Sequence, residues 1–343
     1  MRAVNVAIVG ATGAVGIELL RILEEREFPV NSLKLLASQR SAGKKLSFRH
    51  QEYTVETIDA HQFDQVDIAF FSAGSDVSKE WAPVAVAAGC VVIDNSSAFR
   101  MDPSVPLVVP EVNKEMIATH RGIIANPNCS TIILCAALKP IYDAVGINRV
   151  VVSTYQAVSG AGHMAMQELE DQVKAYANNE PLSAHILPVK SLSKHYPILF
   201  NVIPQIDVPG ELGYTKEEWK MIQETQKIFN DYQLRITATT VRVPVMRSHC
   251  ESVNVETKQK LTVAECRDLI SKAPGLRLVD DLAAQEYPMP TDTAGQDLIW
   301  VGRIREDTSL ENGLNLWIAG DQIRKGAALN AVQIGEQVIC DLR

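Results

Sequence analysis

The chain contains 343 residues, of which 46% are hydrophobic and 22% are charged, a balance typical of globular proteins and a length that favours two domains. Its net charge of −8, without any run of basic residues, argues against nucleic acid or an anionic membrane as the main partner. The six cysteines form no C-x-x-C pair, so we expect neither a metal site nor a disulfide framework. No apolar stretch approaches the ~18 residues of a membrane span, and no signal peptide is recognisable. We therefore expect a cytoplasmic protein.

The N-terminal segment has the order strand, glycine-rich turn, helix. The β-branched run Val4–Val9 precedes a G-x-x-G-x-x-G turn at 10–16, and an amphipathic helix follows from Ile17. This order is typical of a dinucleotide-binding unit, in which the amides of the helix N-terminus receive the pyrophosphate. A tight turn of purely structural importance is the alternative. The candidate cofactor-binding residues of this turn are Gly10, Thr12, Gly13, Ala14 and Val15.

The loop after the second predicted strand, at 32–37, bears on which dinucleotide is bound. A unit that binds NAD usually carries an acidic residue here, which holds the ribose 2′-hydroxyl. This chain instead has Ser38, Arg40 and Ser41, followed by Ala42. Hydroxyl groups and a guanidinium suit a 2′-phosphate, so the loop favours NADP over NAD. The alternative is a solvated basic loop.

Two further strands are predicted at 66–71 and 90–94, and small polar residues such as Ser72 follow them. In an open parallel sheet such residues gather at the carboxyl edge, where ligands bind. A helix is expected between the two strands, over 78–88. Arg100 should lie near the same edge, and a surface salt bridge is its alternative role.

Cys129 stands at the junction of a strand and a helix. The apolar run Ile123–Ala125 meets an Asn-Pro-Asn turn, and a segment of helical composition follows from Ile132. The amides and the dipole of a helix N-terminus stabilise an anion, so we expect the pKa of the Cys129 thiol to fall below its usual ~8.5. The alternative is a small buried cysteine without reactivity.

The pattern changes after this helix and indicates a second domain. A strand over 149–158 ends in Ser159 and Gly160, and later strands fit a mixed or largely antiparallel sheet. These strands are predicted at 234–243, 251–256, 298–304 and 313–319. The proline-rich segment 181–213 should be irregular, and a C-terminal helix over 326–339 should return to the first domain.

Two pairs of residues in the second domain are candidates for chemistry. Glu217 and Lys220 follow a capping-box pattern and, being three residues apart on a helix, project to a common side. An exposed ion pair is the alternative. Arg242 and His249 flank Pro244, and their odd separation would place them on opposite faces of one strand. They converge only if the proline breaks the strand.

Together, these features resemble the aspartate-β-semialdehyde dehydrogenase family over essentially the whole chain. The matching blocks are 10–16, 94–100, 126–131, 156–162, 242–249 and 321–328. The resemblance implies reductive dephosphorylation of β-aspartyl phosphate by NADPH, which gives aspartate semialdehyde for lysine, threonine and methionine synthesis. It also implies a homodimer, or a tetramer built from dimers.

The resemblance implies roles for single residues as well. Cys129 is similar to the family's nucleophile, His249 to its general acid/base and Gln156 to the residue that orients the acyl group. Arg242 is similar to the clamp on the substrate carboxylate, and Glu217 to the partner of its amino group. The residues that match the phosphate site are Arg100, Asn128 and Lys220. The further residues that match the cofactor site are Ser159, Gly160 and Gln322, of which Gln322 matches a position near the nicotinamide.

These roles agree with elementary chemistry. A thiolate attacks the acyl phosphate, cations receive the leaving phosphate, and the tetrahedral oxygen needs a proton donor.

The expected fold is α/β: a Rossmann-type dinucleotide-binding domain over 1–128, completed by a C-terminal helix at 322–343, and an α+β catalytic and dimerisation domain over 129–321.

Three rival functions remain open at this point. N-acetyl-γ-glutamyl-phosphate reductase shares the nucleotide fold, the thioester cysteine and the histidine, but Glu217 favours a substrate with a free ammonium group. Glyceraldehyde-3-phosphate dehydrogenase fits less well, because the cofactor loop lacks its acid. A nucleotide-sensing protein without turnover is the third possibility.

Overall fold

The computed structural model describes residues 2–341, which form two compact units. The first contains the residues up to Asn128 together with those from Gly326, and the second is Cys129–Lys325. The C-terminal segment belongs to the first unit from Gly326. Within 2–341, no helix is long and apolar enough to cross a membrane.

The first unit contains a sheet of seven strands. In chain order they are β1 (Val4–Val9), β2 (Val30–Ala37), β3 (Lys45–Phe48), β4 (Gln51–Thr57), β5 (Ile68–Phe71), β6 (Val91–Asp94) and β7 (Ile123–Ala125). Their spatial order is β3-β4-β2-β1-β5-β6-β7, and all neighbours are parallel except the hairpin β3–β4. The strand order reverses on the two sides of β1, which is the doubly wound topology of dinucleotide-binding sheets. The prediction of a Rossmann-type fold is confirmed.

The predicted helices are observed with shifted ends, whereas the helices at 110–113, 163–177, 263–272 and 290–293 were not predicted. In chain order they are α1 (Ala14–Glu25), α2 (Ser75–Ala87), α3 (Pro110–Asn113), α4 (Cys129–Val145), α5 (His163–Ala177), α6 (Lys216–Phe229), α7 (Val263–Lys272), α8 (Pro290–Thr293) and α9 (Asn330–Asp341). Pro83 lies inside α2. It is tolerated because both Pro83 and Lys79 are exposed, so that water reaches the carbonyl that loses its helical partner. A π-helical turn, Arg324–Leu329, precedes α9.

Both faces of the first sheet are buried, as the alternation along β1 illustrates. Val6 and Ile8 belong to a core that includes residues of α1 and α9, whereas Ala7 and Val9 belong to a core with residues of α2. Successive side chains of a strand point to opposite faces, so one short strand supplies both cores. Full burial of one such aliphatic side chain contributes about 1.5–3 kcal/mol.

The second unit contains a mixed sheet, as predicted. Its strands are β8 (Ile147–Gln156), β9 (Arg235–Arg242), β10 (His249–Thr257), β11 (Leu276–Leu278), β12 (Ile299–Glu306) and β13 (Gly313–Gly320). Their spatial order is β11-β12-β13-β10-β8-β9. The pairs β8–β9 and β11–β12 are parallel and the other neighbours are antiparallel.

Helices α4, α6 and α7 pack on one face of this sheet. Alternate residues of β10 are buried on that account, among them His249, Glu251 and Val253. Of the residues on the opposite side of β10, Ser252 and Asn254 are half-buried, whereas Cys250 is buried. The helix-covered face therefore carries the candidate histidine.

The irregular segment predicted at 181–213 is observed and is anchored by α5. The Glu168 carboxylate accepts a hydrogen bond from the backbone amide of Ile186 at 3.1 Å, and the Gln172 side-chain oxygen accepts one from the amide of Ile198 at 3.0 Å. Two side chains one helical turn apart thus hold a segment that has no ladder of its own.

Candidate active site

Three candidate residues of the second unit lie side by side on neighbouring strands. Gln156, at the end of β8, pairs with Arg242 on β9, and the register of β8 with β10 places His249 on its other side. The convergence requires that the strand be interrupted near Pro244. This is observed, because β9 ends at Arg242 and β10 begins at His249. All three side chains are buried, and they form a row across three strands.

His249 is held in one protonation state. Its Nδ1 accepts a hydrogen bond from the backbone N–H of Ala157 at 3.0 Å, so the proton of the neutral ring is on Nε2. Burial and the Arg242 charge lower the pKa of His249 to about 3. Nε2 lies 3.4 Å from Nε2 of Gln156, and since both nitrogens carry hydrogen this is a contact rather than a hydrogen bond. The ring therefore offers an N–H donor to an acceptor in the site.

Arg242 is a buried cation with unused hydrogen-bonding capacity. Its Nη1 donates to the carbonyl oxygen of Ala157 at 2.6 Å, whereas its buried Nε has no hydrogen-bond partner among the described residues. Burial lowers the pKa of Arg242, and the charges of Glu217 and of the Cys129 thiolate act in the opposite direction. A guanidinium with a vacant Nε–H suits a planar carboxylate.

Gly160 lies against both of these residues. A Cβ atom built on it would lie 2.9 Å from Nη1 of Arg242 and 3.1 Å from Nε2 of His249. The absence of a side chain at Gly160 therefore leaves room for the two functional groups.

The candidates on α6 form a charged cluster with a residue from the irregular segment. Nζ of Lys220 lies 3.0 Å from Oε2 of Glu217 and 2.8 Å from Oδ2 of Asp207. The other Glu217 oxygen accepts a hydrogen bond from Nε2 of Gln156 at 3.2 Å. Burial lowers the pKa of Lys220, but the two carboxylates outweigh this and raise it above its usual value. The cluster thus joins the row on the sheet to the first turns of α6.

The helix that carries these residues begins as predicted. Thr215 caps α6, and the reciprocal bonds of a capping box link it to Glu218. The second carboxylate oxygen of Glu218 accepts a hydrogen bond from the backbone amide of Thr240 on β9 at 3.0 Å. One side chain therefore fixes the start of α6 to the strand that ends in Arg242.

Cys129 is the first residue of α4 and is half-buried. Four of the other cysteines, Cys90, Cys135, Cys250 and Cys266, are buried, and burial raises the pKa of each thiol, that of Cys90 to about 11. These thiols stay protonated and inert. Cys129 combines partial exposure with a helix N-terminus and lies in the same unit as Arg242 and His249.

Ser159 and Gln322 link two loops of the second unit. Nε2 of Gln322 donates to the Ser159 hydroxyl, and Oε1 of Gln322 accepts from the backbone amide of Ser248 at 2.8 Å. Gln322 is buried, and its amide ties the residue before His249 to the residue before Gly160.

In the first unit, the glycine turn has the geometry of a phosphate cradle. Gly10 has φ +89°, and a Cβ on it would lie 2.8 Å from the Ser72 carbonyl. A Cβ on Gly16 would lie 2.3 Å from the Gly10 oxygen, so the start of α1 packs tightly on the turn. The N-cap of α1 is Gly13, which provides no side-chain cap for the first amides. These residues fit a dinucleotide pyrophosphate.

The loop after β2 lies beside this turn. The Thr12 hydroxyl donates to the Ser41 hydroxyl at 3.2 Å. Ser38 and Arg40 are exposed, whereas Ala42 is half-buried. Ala14 and Val15, in the first turn of α1, are also half-buried. The turn predicted to bind the pyrophosphate and the loop predicted to bind the 2′-phosphate therefore meet through Thr12 and Ser41.

Arg100 and Asn128 are buried residues of the first unit. Nε of Arg100 donates to the carbonyl of Asn126 at 2.9 Å, and Nη2 donates to the carbonyl of Asn95 at 2.7 Å. Two main-chain carbonyls thus orient the guanidinium at the ends of β6 and β7.

A second row of polar residues lies one step below the first. Glu251 on β10 pairs with Thr154 on β8, whose hydroxyl donates to Oε1 of Gln156 at 3.0 Å. Neither carboxylate oxygen of Glu251 has a hydrogen-bond partner in the part of the chain described here. Burial raises the pKa of Glu251 well above 4.5, which favours the protonated form.

Glu251→Gln should therefore stabilise the protein increasingly as the pH rises. A raised pKa in the folded state means that stability present below the unfolded-state pKa is lost as the pH increases toward the folded-state pKa. The variant cannot ionise, so its advantage in free energy of unfolding should grow by up to about 1.4 kcal/mol per pH unit above pH 4.5. Urea unfolding at pH 5 and pH 7 measures this. Glu256→Gln, at a half-buried residue of the same strand that pairs with Arg235, is the control, and equal pH trends in the two variants would contradict the prediction.

Sequence reasoning did not find Asp207, Ala157 or Glu251. Ala157 acts through its backbone, which no side-chain pattern reveals. Asp207 lies in the irregular segment, where periodicity gives no information. Glu251 stands next but one to His249 on the buried face of β10, and an acidic residue at such a position is the one signal that could have been noticed.

Comparisons with known proteins agree with this arrangement. A family model described as semialdehyde dehydrogenase, NAD binding domain, matches residues 5–120, and one described as semialdehyde dehydrogenase, dimerisation domain, matches residues 138–325. Aspartate-semialdehyde dehydrogenase of Bacillus subtilis (strain 168) is 52% identical over 338 residues, which cover 98% of each chain. That of Legionella pneumophila is 53% identical over 338 residues, covering 98% of this chain and 95% of the relative.

Solved structures lead to the same family. The crystal structure of aspartate semialdehyde dehydrogenase II from Vibrio cholerae, complexed with ASA, matches with a TM-score of 0.94 and 49% identity over 99% of each chain. The match extends through both units described above. The chain therefore belongs to the aspartate-semialdehyde dehydrogenase family, oxidoreductases of amino-acid biosynthesis.

Proposed function

We propose that the chain converts β-aspartyl phosphate to aspartate semialdehyde and phosphate with NADPH, through a thioester on Cys129. The observation that carries this proposal is the row of Gln156, Arg242 and His249 in the unit whose first residue is Cys129. This row offers a neutral N–H donor beside a buried guanidinium with a vacant Nε–H.

In the first half-reaction the Cys129 thiolate attacks the acyl carbon of the substrate. The Sγ–C bond forms, the bond between the acyl carbon and the phosphate oxygen breaks, and phosphate departs with that electron pair. Negative charge develops on the carbonyl oxygen, and the Nε2–H of His249 is the donor that stabilises it. Gln156, fixed by Thr154 and Glu217, orients the acyl group.

In the second half-reaction the thioester carbon is reduced. The reduced nicotinamide supplies the hydride when it is bound. The Nε2–H of His249 again donates to the oxygen of the tetrahedral species. Collapse of that species expels the Cys129 thiolate and releases the aldehyde.

Substrate recognition divides between charged groups. Arg242 binds the substrate carboxylate through its vacant donor edge, and Glu217 accepts the ammonium group. The proposed phosphate ligands are Arg100, Asn128 and Lys220.

We propose NADP rather than NAD as the preferred cofactor. The glycine turn with Gly10, Thr12, Gly13, Ala14 and Val15 binds the pyrophosphate, and Ser72 lines the turn. The residues proposed for the 2′-phosphate and its ribose are Ser38, Arg40, Ser41 and Ala42. The further proposed cofactor ligands are Ser159, Gly160 and Gln322, of which Gln322 is proposed to lie near the nicotinamide. The support is that Arg40 is exposed and that no ion pair engages it among residues 2–341.

Arg40→Ala should raise the Michaelis constant for NADPH by about tenfold or more, since a hydrogen bond to a charged group is worth about 1.5–3 kcal/mol. The constant for NADH should change little. Steady-state kinetics with the two cofactors measure the difference. Lys44→Ala, at another exposed basic residue of the loop, is the matched control, and equal losses with both cofactors would refute the assignment.

We also propose that the chain forms a homodimer, or a tetramer built from dimers, through the second unit. The matching family model is that of a dimerisation domain. On the half-buried face of the sheet, the rings of Tyr155 and Trp317 lie 5.3 Å apart, and a groove of about 330 Å³ is lined by Tyr287, Met289 and Trp317 among others. Such an apolar face suits a second copy.

The six free cysteines suit a reducing compartment, for which we propose the cytoplasm.

The proposal is tested by phosphate-dependent reduction of NADP with aspartate semialdehyde, in parallel with N-acetylglutamate semialdehyde. Activity with aspartate semialdehyde alone is expected. Activity with the acetylated substrate alone would retain the cysteine chemistry but overturn the roles of Glu217 and Arg242. Nucleotide binding without turnover of either substrate would favour a sensor.

A further inference from the structure

Lys220 is shared between two carboxylates of different origin. Its ammonium lies 3.0 Å from the carboxylate of Glu217, three residues earlier on α6. It also lies 2.8 Å from the carboxylate of Asp207, which belongs to the irregular segment. Asp207 has no part in the substrate contacts proposed above. Its effect on the site must act through Lys220.

The position of Asp207 is fixed by its own surroundings. Its backbone has φ +67°, and its Oδ1 accepts a hydrogen bond from the amide of Val208 at 2.7 Å. The carbonyl of Val208 in turn accepts from the amide of Lys216 at 2.9 Å, and the Asp207 carbonyl accepts from Gln205 at 3.2 Å. The segment is thus tied to the first residue of α6, and Oδ2 is left to bind Lys220.

The charges of the cluster explain why a second carboxylate matters. When the substrate carboxylate engages Arg242, the cluster of Glu217, Lys220 and Asp207 keeps its own charges. These three residues together carry one net negative charge, which favours a substrate ammonium at Glu217. Without Asp207, Lys220 would neutralise Glu217, and the attraction for an ammonium would be lost.

We propose that Asp207 is a positioning residue that draws Lys220 away from Glu217 and so sets the selectivity of the site for a substrate with a free amino group. The inference rests on the proposed function, in which Glu217 receives the ammonium and Lys220 the phosphate. It assigns to Asp207 two opposite effects: it strengthens binding of the aminated substrate and weakens binding of phosphate.

Asp207→Asn tests this assignment with little disturbance of the backbone. Asparagine tolerates a positive φ and keeps an Oδ1 acceptor for the Val208 amide, so the change removes mainly the charge. The Michaelis constant for aspartate semialdehyde should rise about tenfold, whereas kcat should change less than about threefold. The Michaelis constant for phosphate should fall. Asp207→Glu should restore the constant for aspartate semialdehyde toward that of the wild type.

Asp171→Asn is the matched control. It removes the same charge from an exposed position of α5, where Asp171 pairs with Lys174 at 3.4 Å, and should leave both constants unchanged. If Asp207 serves only to hold the segment in place, Asp207→Asn would lower kcat and the thermal midpoint and raise both constants together. That outcome, or an unchanged constant for aspartate semialdehyde, overturns the proposal.

A binding measurement separates this proposal from the proposed function. Titration of inorganic phosphate by calorimetry requires no turnover, and Asp207→Asn should bind phosphate about threefold more tightly than the wild type. Tighter binding in an enzyme inactive on aspartate semialdehyde would refute the proposed function yet support the charge division. Equal or weaker binding overturns the charge division whatever the substrate.

Discussion

Replacing Cys129 with alanine is expected to abolish turnover, with a loss in kcat of about 10⁴-fold or more, because no other group can form the acyl intermediate. Binding of the dinucleotide should survive, since the glycine turn and the loop after β2 belong to the first unit. Absorbance of reduced nicotinamide measures the first result, and fluorescence titration with NADPH measures the second.

Cys340→Ala is the control for this experiment. Cys340 is exposed on α9, and its removal should change neither activity nor nucleotide binding. Trapping of a labelled acyl group on the wild type, but not on Cys129→Ala, would identify the thioester directly. Appreciable turnover by Cys129→Ala would show that the thiol is not the nucleophile.

Replacing Gly160 with alanine should lower kcat/KM by about 10²-fold, because displacement of functional groups by even about 1 Å has effects of this size. The added methyl would lie 2.9 Å from Nη1 of Arg242 and 3.1 Å from Nε2 of His249, closer than such contacts normally are. The atoms that must yield are at the ends of side chains. The fold should therefore remain intact while the site is distorted.

Gly162→Ala provides the opposite result. Gly162 has φ +89°, but no atom lies within 4 Å of a Cβ built there. Backbone strain of about 1–3 kcal/mol should lower the thermal midpoint, with little effect on the rate at low temperature. Gly160→Ala should thus lose activity but keep its stability, whereas Gly162→Ala should lose stability but keep its activity. Full activity of Gly160→Ala would contradict the placement of Arg242 and His249 described here.

Most of the first unit could be predicted from the sequence, because its signals are local. A β-branched run, a glycine turn and an amphipathic helix are contiguous at Val4–Val9 and α1, and the buried parallel strands appear as apolar runs. The hairpin of β3 and β4 was not predicted. Its residues are largely polar and exposed, so the pairing depends on the neighbouring β2 rather than on its own pattern.

The site was predictable only where one segment contains the signal. Cys129 is marked by a strand, a turn and a helix in succession. Arg242 and His249 could be identified as candidates, but their meeting depends on β8 lying between β9 and β10, a non-local arrangement. The contact of Asp207 with Lys220 joins an irregular segment to a helix, and no periodicity encodes it.

The two main-chain hydrogen bonds of Ala157 determine which substitutions the site can tolerate at this position. Its N–H orients His249 and its carbonyl orients Arg242, and both groups are present in nearly every amino acid. Substitutions at this position other than proline leave both hydrogen bonds chemically possible. The two bonds therefore depend on the backbone conformation at residue 157 and not on the identity of its side chain. The proton donor and the carboxylate clamp are also mechanically linked, since any rotation of this residue's backbone would misalign both at once.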